Sequence, residues 1–274
     1  MTNSVFKNIL LTAVSAALCC CSGEKKSETA SAESEFSTSV LAFDTIGHIN
    51  ADEANPQFKY AYNLTLPNEG QSLCADSIRL SMIAEATDLR TDDITAARKK
   101  KIMSLAVVSE EDAAAYKELF PAAEMPCVYE CESGKVFENS DIYNSYFKAY
   151  SYMGGAHPYS YTDFKIWDKA NSKRLSHDDI FVSDSESKLT NMILDSLCKM
   201  MDVNGHDNLI DAGILDVKDV APNNSMIVYT DFLSFNYKPY EIAAYAVGPI
   251  EVKISFVDLK PLMRTDSPLY KLTE

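Results

Sequence analysis

Ile142-Tyr-Asn-Ser-Tyr-Phe-Lys-Ala-Tyr-Ser-Tyr-Met153 decides the fold class. Tyr143, Tyr146, Phe147, Tyr150 and Tyr152 crowd this stretch, and such aromatic residues favour the pleated, half-buried surface of a strand. Residues 126–139 precede it and predict its strand partner, the two meeting at the polar turn Asn139-Ser-Asp141. Residues 158–167 predict a third strand, closed by Asp168-Lys-Ala-Asn-Ser-Lys173.

Outward from this centre the pattern divides. Upstream, Phe58-Lys-Tyr-Ala-Tyr-Asn-Leu-Thr-Leu-Pro67 alternates and stops at a turn, a strand signature. Residues 75–86 carry Ile78, Met82 and Ile83 at helical spacing, and residues 92–107 form a second, highly charged helical stretch. Ser109-Glu-Glu-Asp112 is a capping box for a helix over 110–119 that Pro121 ends. Downstream, Ser183 and Glu186 read as another capping box, before an amphipathic helix with Leu189, Met192, Ile193, Leu197 and Met200 on one face. Strands follow over 225–230, 233–238 and 250–256, with a short helical piece near 258–263. The class is α+β: mainly antiparallel sheet with packed helices, the helices concentrated in the first half.

The N-terminus reads as a bacterial lipoprotein signal over residues 1–20. Lys7 gives one positive charge, and residues 9–18 form an apolar run too short to span a bilayer. Leu18 stands three positions before Cys21, which makes Cys21 the expected lipidated residue. Residues 21–39 are polar and read as a disordered tether, with Phe36 almost their one apolar side chain. An N-terminal α+β part over 40–150 and a C-terminal α+β part over 151–274 are expected to share one compact unit. The expected place is a bacterial cell envelope, lipid-anchored at an outer membrane or cell surface, with membrane contact through the anchor only.

A formal charge of −15 argues against nucleic acid and favours cationic partners. The basic run Arg98-Lys-Lys-Lys101 has acidic neighbours and reads as a solvated helix face. Cys127 and Cys131 share a strand face about 13 Å apart at ~3.3 Å per residue, too far to bond each other. Pairing of either with Cys74 or Cys198 is left open, and no zinc spacing accompanies them.

No residue set spells out a reaction, and neither a metal nor a cofactor is called for. His157 sits after Gly154 and Gly155 and before Pro158, on a tight loop between strands, as a ligand contact or a structural turn. Asp178-Asp179 reads as a turn cap rather than an acid/base pair. Asp202-Val-Asn-Gly-His-Asp207 lacks the closing Glu of a calcium loop. Pro239-Tyr-Glu-Ile-Ala-Ala-Tyr-Ala-Val-Gly-Pro249 joins two apolar strands, and its Tyr240, Glu241 and Tyr245 suit either a recognition surface or a cover for the sheet.

Four phrases, Tyr152-Met-Gly-Gly-Ala-His-Pro158, Leu175-Ser-His-Asp-Asp-Ile-Phe181, Phe235-Asn-Tyr-Lys-Pro-Tyr-Glu-Ile-Ala243 and Ala246-Val-Gly-Pro-Ile-Glu-Val252, resemble the RsiV-type extracellular domain family. This is domain of unknown function 3298, usually preceded by a companion domain, here in a lipoprotein form. The resemblance spans residues 58–263; Phe232 departs from it, standing where the family tends to place Gly after Asp. It implies a non-catalytic binding module, because its best understood relatives bind lysozyme through this outer domain. Lysozyme is strongly cationic, which suits an acidic chain. The alternative is a cell-wall glycan-binding or glycan-processing accessory protein. On either reading the candidate binding residues are Gly154, Gly155, His157, Tyr240, Glu241 and Tyr245.

Overall fold

The structure is a computed structural model and describes residues 35–122 and 124–274. Cys21 and the segments read as signal peptide and as tether up to residue 34 lie outside the described residues. A six-stranded sheet runs in the order β1 (Thr38–His48), β2 (Gln57–Pro67), β3 (Cys127–Glu138), β4 (Ile142–Met153), β5 (Tyr159–Asp168) and β6 (Lys173–Leu175). Neighbours are antiparallel except β2 and β3, which are parallel. A parallel pair needs a long crossover, and here it carries α1 (Leu73–Thr87), α2 (Ile94–Ala106) and α3 (Glu110–Leu119). Next come α4 (His177–Ile180), α5 (Glu186–Met201) and an antiparallel three-stranded sheet of β7 (Met226–Val228), β8 (Phe232–Tyr237) and β9 (Ile250–Ser255). The short helix α6 (Phe256–Leu259) follows. The α+β class expected from the sequence is the observed one.

Alternation along the strands builds two cores. On one face of the large sheet Phe58, Tyr60, Tyr62, Leu64, Tyr129, Tyr143, Phe147 and Trp167 pack with Ile78, Met82 and Ile83 of α1. On the other, Ile142 and Ile166 join Leu189, Ile193 and Leu197 of α5 with Leu233, Phe235 and Val252 of the small sheet. β4 and β5 each give side chains to both cores, so a division at 150/151 falls inside β4. Asn144, fully buried, ties the sheets together: its amide donates to the carbonyls of Lys165 and Met226 and accepts from the Val228 N–H at 2.8 Å. Burial of each large side chain in these cores contributes about 1.5–3 kcal/mol.

Three local expectations are revised. β1 begins at Thr38, inside the segment read as tether, and Phe36 packs on Tyr143 with ring centroids 5.8 Å apart. The Phe36 N–H donates to Glu138, whose fully buried carboxylate also meets Lys135 at 3.1 Å and Lys169 at 2.9 Å. The basic run of α2 is only half solvated. The Arg98 guanidinium lies 4.6 Å from the Phe43 ring centroid, and buried Lys101 lies 3.7 Å from that of Tyr129 while pairing with Asp88. Such cation–aromatic contacts offset part of the cost of taking the charge out of water. Helix α5 starts at Glu186 after Ser185, and no side chain caps it, so Ser183 is not its N-cap.

The four described cysteines are free thiols. Cys127 and Cys131 do share the buried face of β3. Burial pushes the Cys131 thiol up to about 12, against the opposing pull of the Lys101 ammonium, and the Cys74 thiol up to about 11.

Candidate functional site

The β4–β5 and β8–β9 connections meet. Gly154, at φ +75°, turns the chain out of β4; a Cβ there would stand 3.1 Å from Cε1 of Tyr116 on α3. The left-handed backbone favours glycine at this point, and a Cβ would press on the Tyr116 ring. Gly155 has no left-handed φ, and a Cβ added to it would meet no atom within 4 Å, so nothing local requires glycine there. The loop then presents His157, which is exposed.

The facing loop is built from a strained turn. Tyr240 adopts φ +71°, a left-handed conformation that costs a bulky residue about 1–3 kcal/mol. Glu241 holds the turn closed. One carboxylate oxygen accepts the Lys238 N–H at 2.8 Å and the other accepts the Asn223 amide at 2.8 Å. Charge-assisted bonds of this kind are roughly twice as strong as neutral ones. Ile242 and Ala243 then plunge into the core, and the chain emerges in a short 3-10 turn, Tyr245–Val247.

The outcome is a stack of three rings. His157 lies 4.5 Å from Tyr245 at an interplanar angle of 22° and 6.4 Å from Tyr240 at 25°. The two tyrosine rings are 5.4 Å apart. Nδ1 of His157 is 3.0 Å from the Pro158 carbonyl, which also accepts the Tyr245 hydroxyl at 2.9 Å. A carbonyl only accepts, so Nδ1 carries a proton, and Nε2 stands 3.2 Å from the Tyr240 hydroxyl. Tyr240 is nonetheless 51% exposed.

Of the six candidates, His157, Tyr240 and Tyr245 therefore form one contiguous surface. Gly154 and Glu241 shape the loops beneath it, and Gly155 does neither. The Glu241 oxygens bond Lys238 and Asn223, while the imidazole nitrogens of His157 face the Pro158 carbonyl and the Tyr240 hydroxyl. Among the described residues no group of three His, Cys, Asp or Glu side chains is arranged to hold a metal ion. Two concavities lie elsewhere. One, about 590 Å³, is lined by Phe58, Ile102, Met103 and Val107; the other, about 530 Å³, lies beside Asp195, Cys198 and His206. Sequence reasoning missed Lys238, which pairs with Asp163 at 3.0 Å, 5.0 Å from the Tyr161 ring centroid. Its position beside the Pro239-Tyr240 pair was the available signal.

The Asp178-Asp179 pair behaves as a cap. Desolvation would raise the Asp179 carboxyl, but the Lys173 ammonium and the Ser176 N–H and hydroxyl outweigh it and hold the group at about 2.

The fold is thus a two-sheet α+β unit that presents a paired-loop aromatic surface. Residues 178–257 match the model of a family described as a protein of unknown function, DUF3298. That region holds Tyr240, Glu241 and Tyr245 but not His157. No curated protein matches the chain. A DUF3298-family protein from Bacteroides fragilis has a similar crystal structure: TM-score 0.74, 22% identity, 87% of this chain and 97% of that one covered. A second, from Pseudomonas aeruginosa, gives a TM-score of 0.61 at 14% identity, with 85% and 96% covered. At these identities the likeness shows the fold.

Proposed function

We propose that the protein is an envelope-anchored, non-catalytic binding module that engages a cationic protein of the lysozyme type. The observation that carries this reading is the stack of exposed His157 and Tyr240 with half-buried Tyr245, held up by a strained Tyr240 turn. Local strain kept in place by Glu241 and by the buried Ile242–Ala243 pair is the kind a fold retains where it must present a side chain. Rigid tyrosine and histidine rings offer large contact area at low entropy cost, and tyrosine is enriched at interface hot spots. The chain's −15 charge supplies long-range attraction to a basic partner. Cys21 is the lipidated residue in this proposal, and the anchor is the protein's contact with the membrane.

The second reading is a cell-wall glycan-binding accessory protein, favoured by the same flat aromatic faces, on which a sugar ring can stack. Isothermal titration of the protein with a lysozyme at two ionic strengths separates the two. The expected result is saturable binding that salt weakens and that Tyr240→Ala with Tyr245→Ala abolishes. Absence of binding at either salt refutes the lysozyme reading, and a salt-insensitive heat with soluble peptidoglycan fragments supports the other.

A further inference from the structure

The last turn of α2 and the β1–β2 connection enclose an apolar groove of about 590 Å³. Its floor exists because residue 47 is glycine. The Phe58 ring lies directly on that backbone, where a Cβ would stand 2.7 Å from Cε1. Ile102 and buried Ala106 complete the floor. Met103 and Val107 form the lip and are 53% and 61% exposed. Two consecutive left-handed residues, Asn50 and Ala51, each at φ +55°, line the groove from the β1–β2 side. Asparagine tolerates that backbone, but alanine gains nothing from it. The Asn50 side-chain oxygen accepts the Val108 N–H at 3.0 Å and so locks this side to the α2–α3 joint. Strained residues held in this way cluster where folds clamp ligands. Methionine at the lip adapts to apolar groups of different shape.

The rim of the groove is acidic. Glu110 lines it and Glu111 follows, while Asp52 and Glu53 follow Ala51; all four are exposed. On α2 the Lys100 and Lys101 ammonium groups are drawn onto Asp88, which leaves Lys99, exposed one turn before Met103. His48 also lines the groove, with Nδ1 2.7 Å from the Asn55 carbonyl. Carboxylates therefore outnumber cations around an apolar floor. We infer that this groove seats a bulky apolar side chain carried on a basic segment of another protein. The floor takes the side chain, and the rim carboxylates pair with flanking lysine or arginine, as when an amphipathic helix docks in a groove. The same rim repels an anionic lipid surface and a second copy of this chain, whose charge is −15. The residues that lead into β1 join it at Thr38, at the far end of the strand from His48, about 34 Å away at ~3.4 Å per residue. The groove shares no lining residue with the stack of His157, Tyr240 and Tyr245, so the inference stands apart from the ligand of that stack.

Fluorescence anisotropy of labelled peptides of about 18 residues, titrated with the protein at physiological salt, tests the inference. One peptide places leucine and lysine on opposite faces of a helix, a second has serine for leucine, and a third has glutamate for lysine. The leucine–lysine peptide is expected to bind saturably, the serine–lysine peptide about tenfold more weakly, and the leucine–glutamate peptide not at all. Met103→Glu with Val107→Glu separates the groove from attraction by net charge. Added carboxylates strengthen a purely electrostatic attachment, whereas loss of the apolar lip weakens a seated side chain about tenfold. Both positions are exposed, and unchanged Trp167 fluorescence shows that the double variant is folded. Tyr240→Ala with Tyr245→Ala should leave peptide binding as it is. No saturable binding of the leucine–lysine peptide overturns the inference. So does equal binding of the serine–lysine peptide, a folded Met103→Glu, Val107→Glu protein that binds as well as the parent, or binding lost with the two tyrosines instead.

Discussion

Gly154 and Gly155 are neighbours, yet the geometry assigns them opposite sensitivities to alanine. At Gly154, φ +75° costs an alanine about 1–2 kcal/mol. The new methyl would also stand 3.1 Å from Cε1 of Tyr116, a contact that the ring must move to relieve. Against this, alanine reduces the entropy of the unfolded chain, a gain of about 0.4–1 kcal/mol. The balance is a loss of about 1–2 kcal/mol for Gly154→Ala, or a fall in Tm of about 2–8 °C for a domain of this size. Gly155→Ala meets no atom within 4 Å and needs no left-handed backbone, so its stability stays within about 0.5 kcal/mol of the parent. The single tryptophan, Trp167, is 6% exposed in the core beneath the sheet and reports urea unfolding directly. Equal midpoints for the two variants, or a larger loss at Gly155, would refute the account of how this loop is held.

Two further expectations concern titration and thiol access. Asp179 is held at about 2 against 3.8 when unfolded, so its stabilisation is complete above pH 3.8 and is lost as pH falls from 3.8 toward 2. Solvent screening of Lys173, 58% exposed, reduces the contribution to about 1 kcal/mol, and Asp179→Asn should remove that slope from the acid limb of a stability–pH curve. Among the four described cysteines, half-buried Cys198 should react with a thiol reagent first, with Cys74, Cys127 and Cys131 labelled only on unfolding, as peptide mapping by mass spectrometry would record.

Much of the fold is legible because its signals are local. β4 is found over the residues that its tyrosines mark, and α3 over those that Ser109 and Pro121 bound. β1 escapes because its exposed face carries Val40, Ala42 and Ile46, which hides the alternation, and because its Ser and Thr start continues the polar composition of the residues before it. Ser183 misleads because a Ser three residues before Glu matches a capping box, while the chain delays its first turn to Glu186. At the candidate site the two loops are readable as phrases, but their meeting is not. It depends on two hairpin ends brought together by the packing of one sheet on the other. The left-handed Tyr240 carries no sequence signal at all, since only its neighbours Glu241 and Asn223 make that conformation tolerable.

Asn144 has a consequence for anyone who would divide this chain. Its side chain is a mortise between the sheets, engaged with β5 and β7 at once, on a strand that feeds both cores. Two fragments cut beside it would each inherit an open hydrophobic face and half of a broken polar joint. Mixed together, however, they should recognise one another, because each holds the other's missing wall. The matched region 178–257 shares its core with Ile142 and Ile166 of the large sheet, so strands that precede it form one wall of that core.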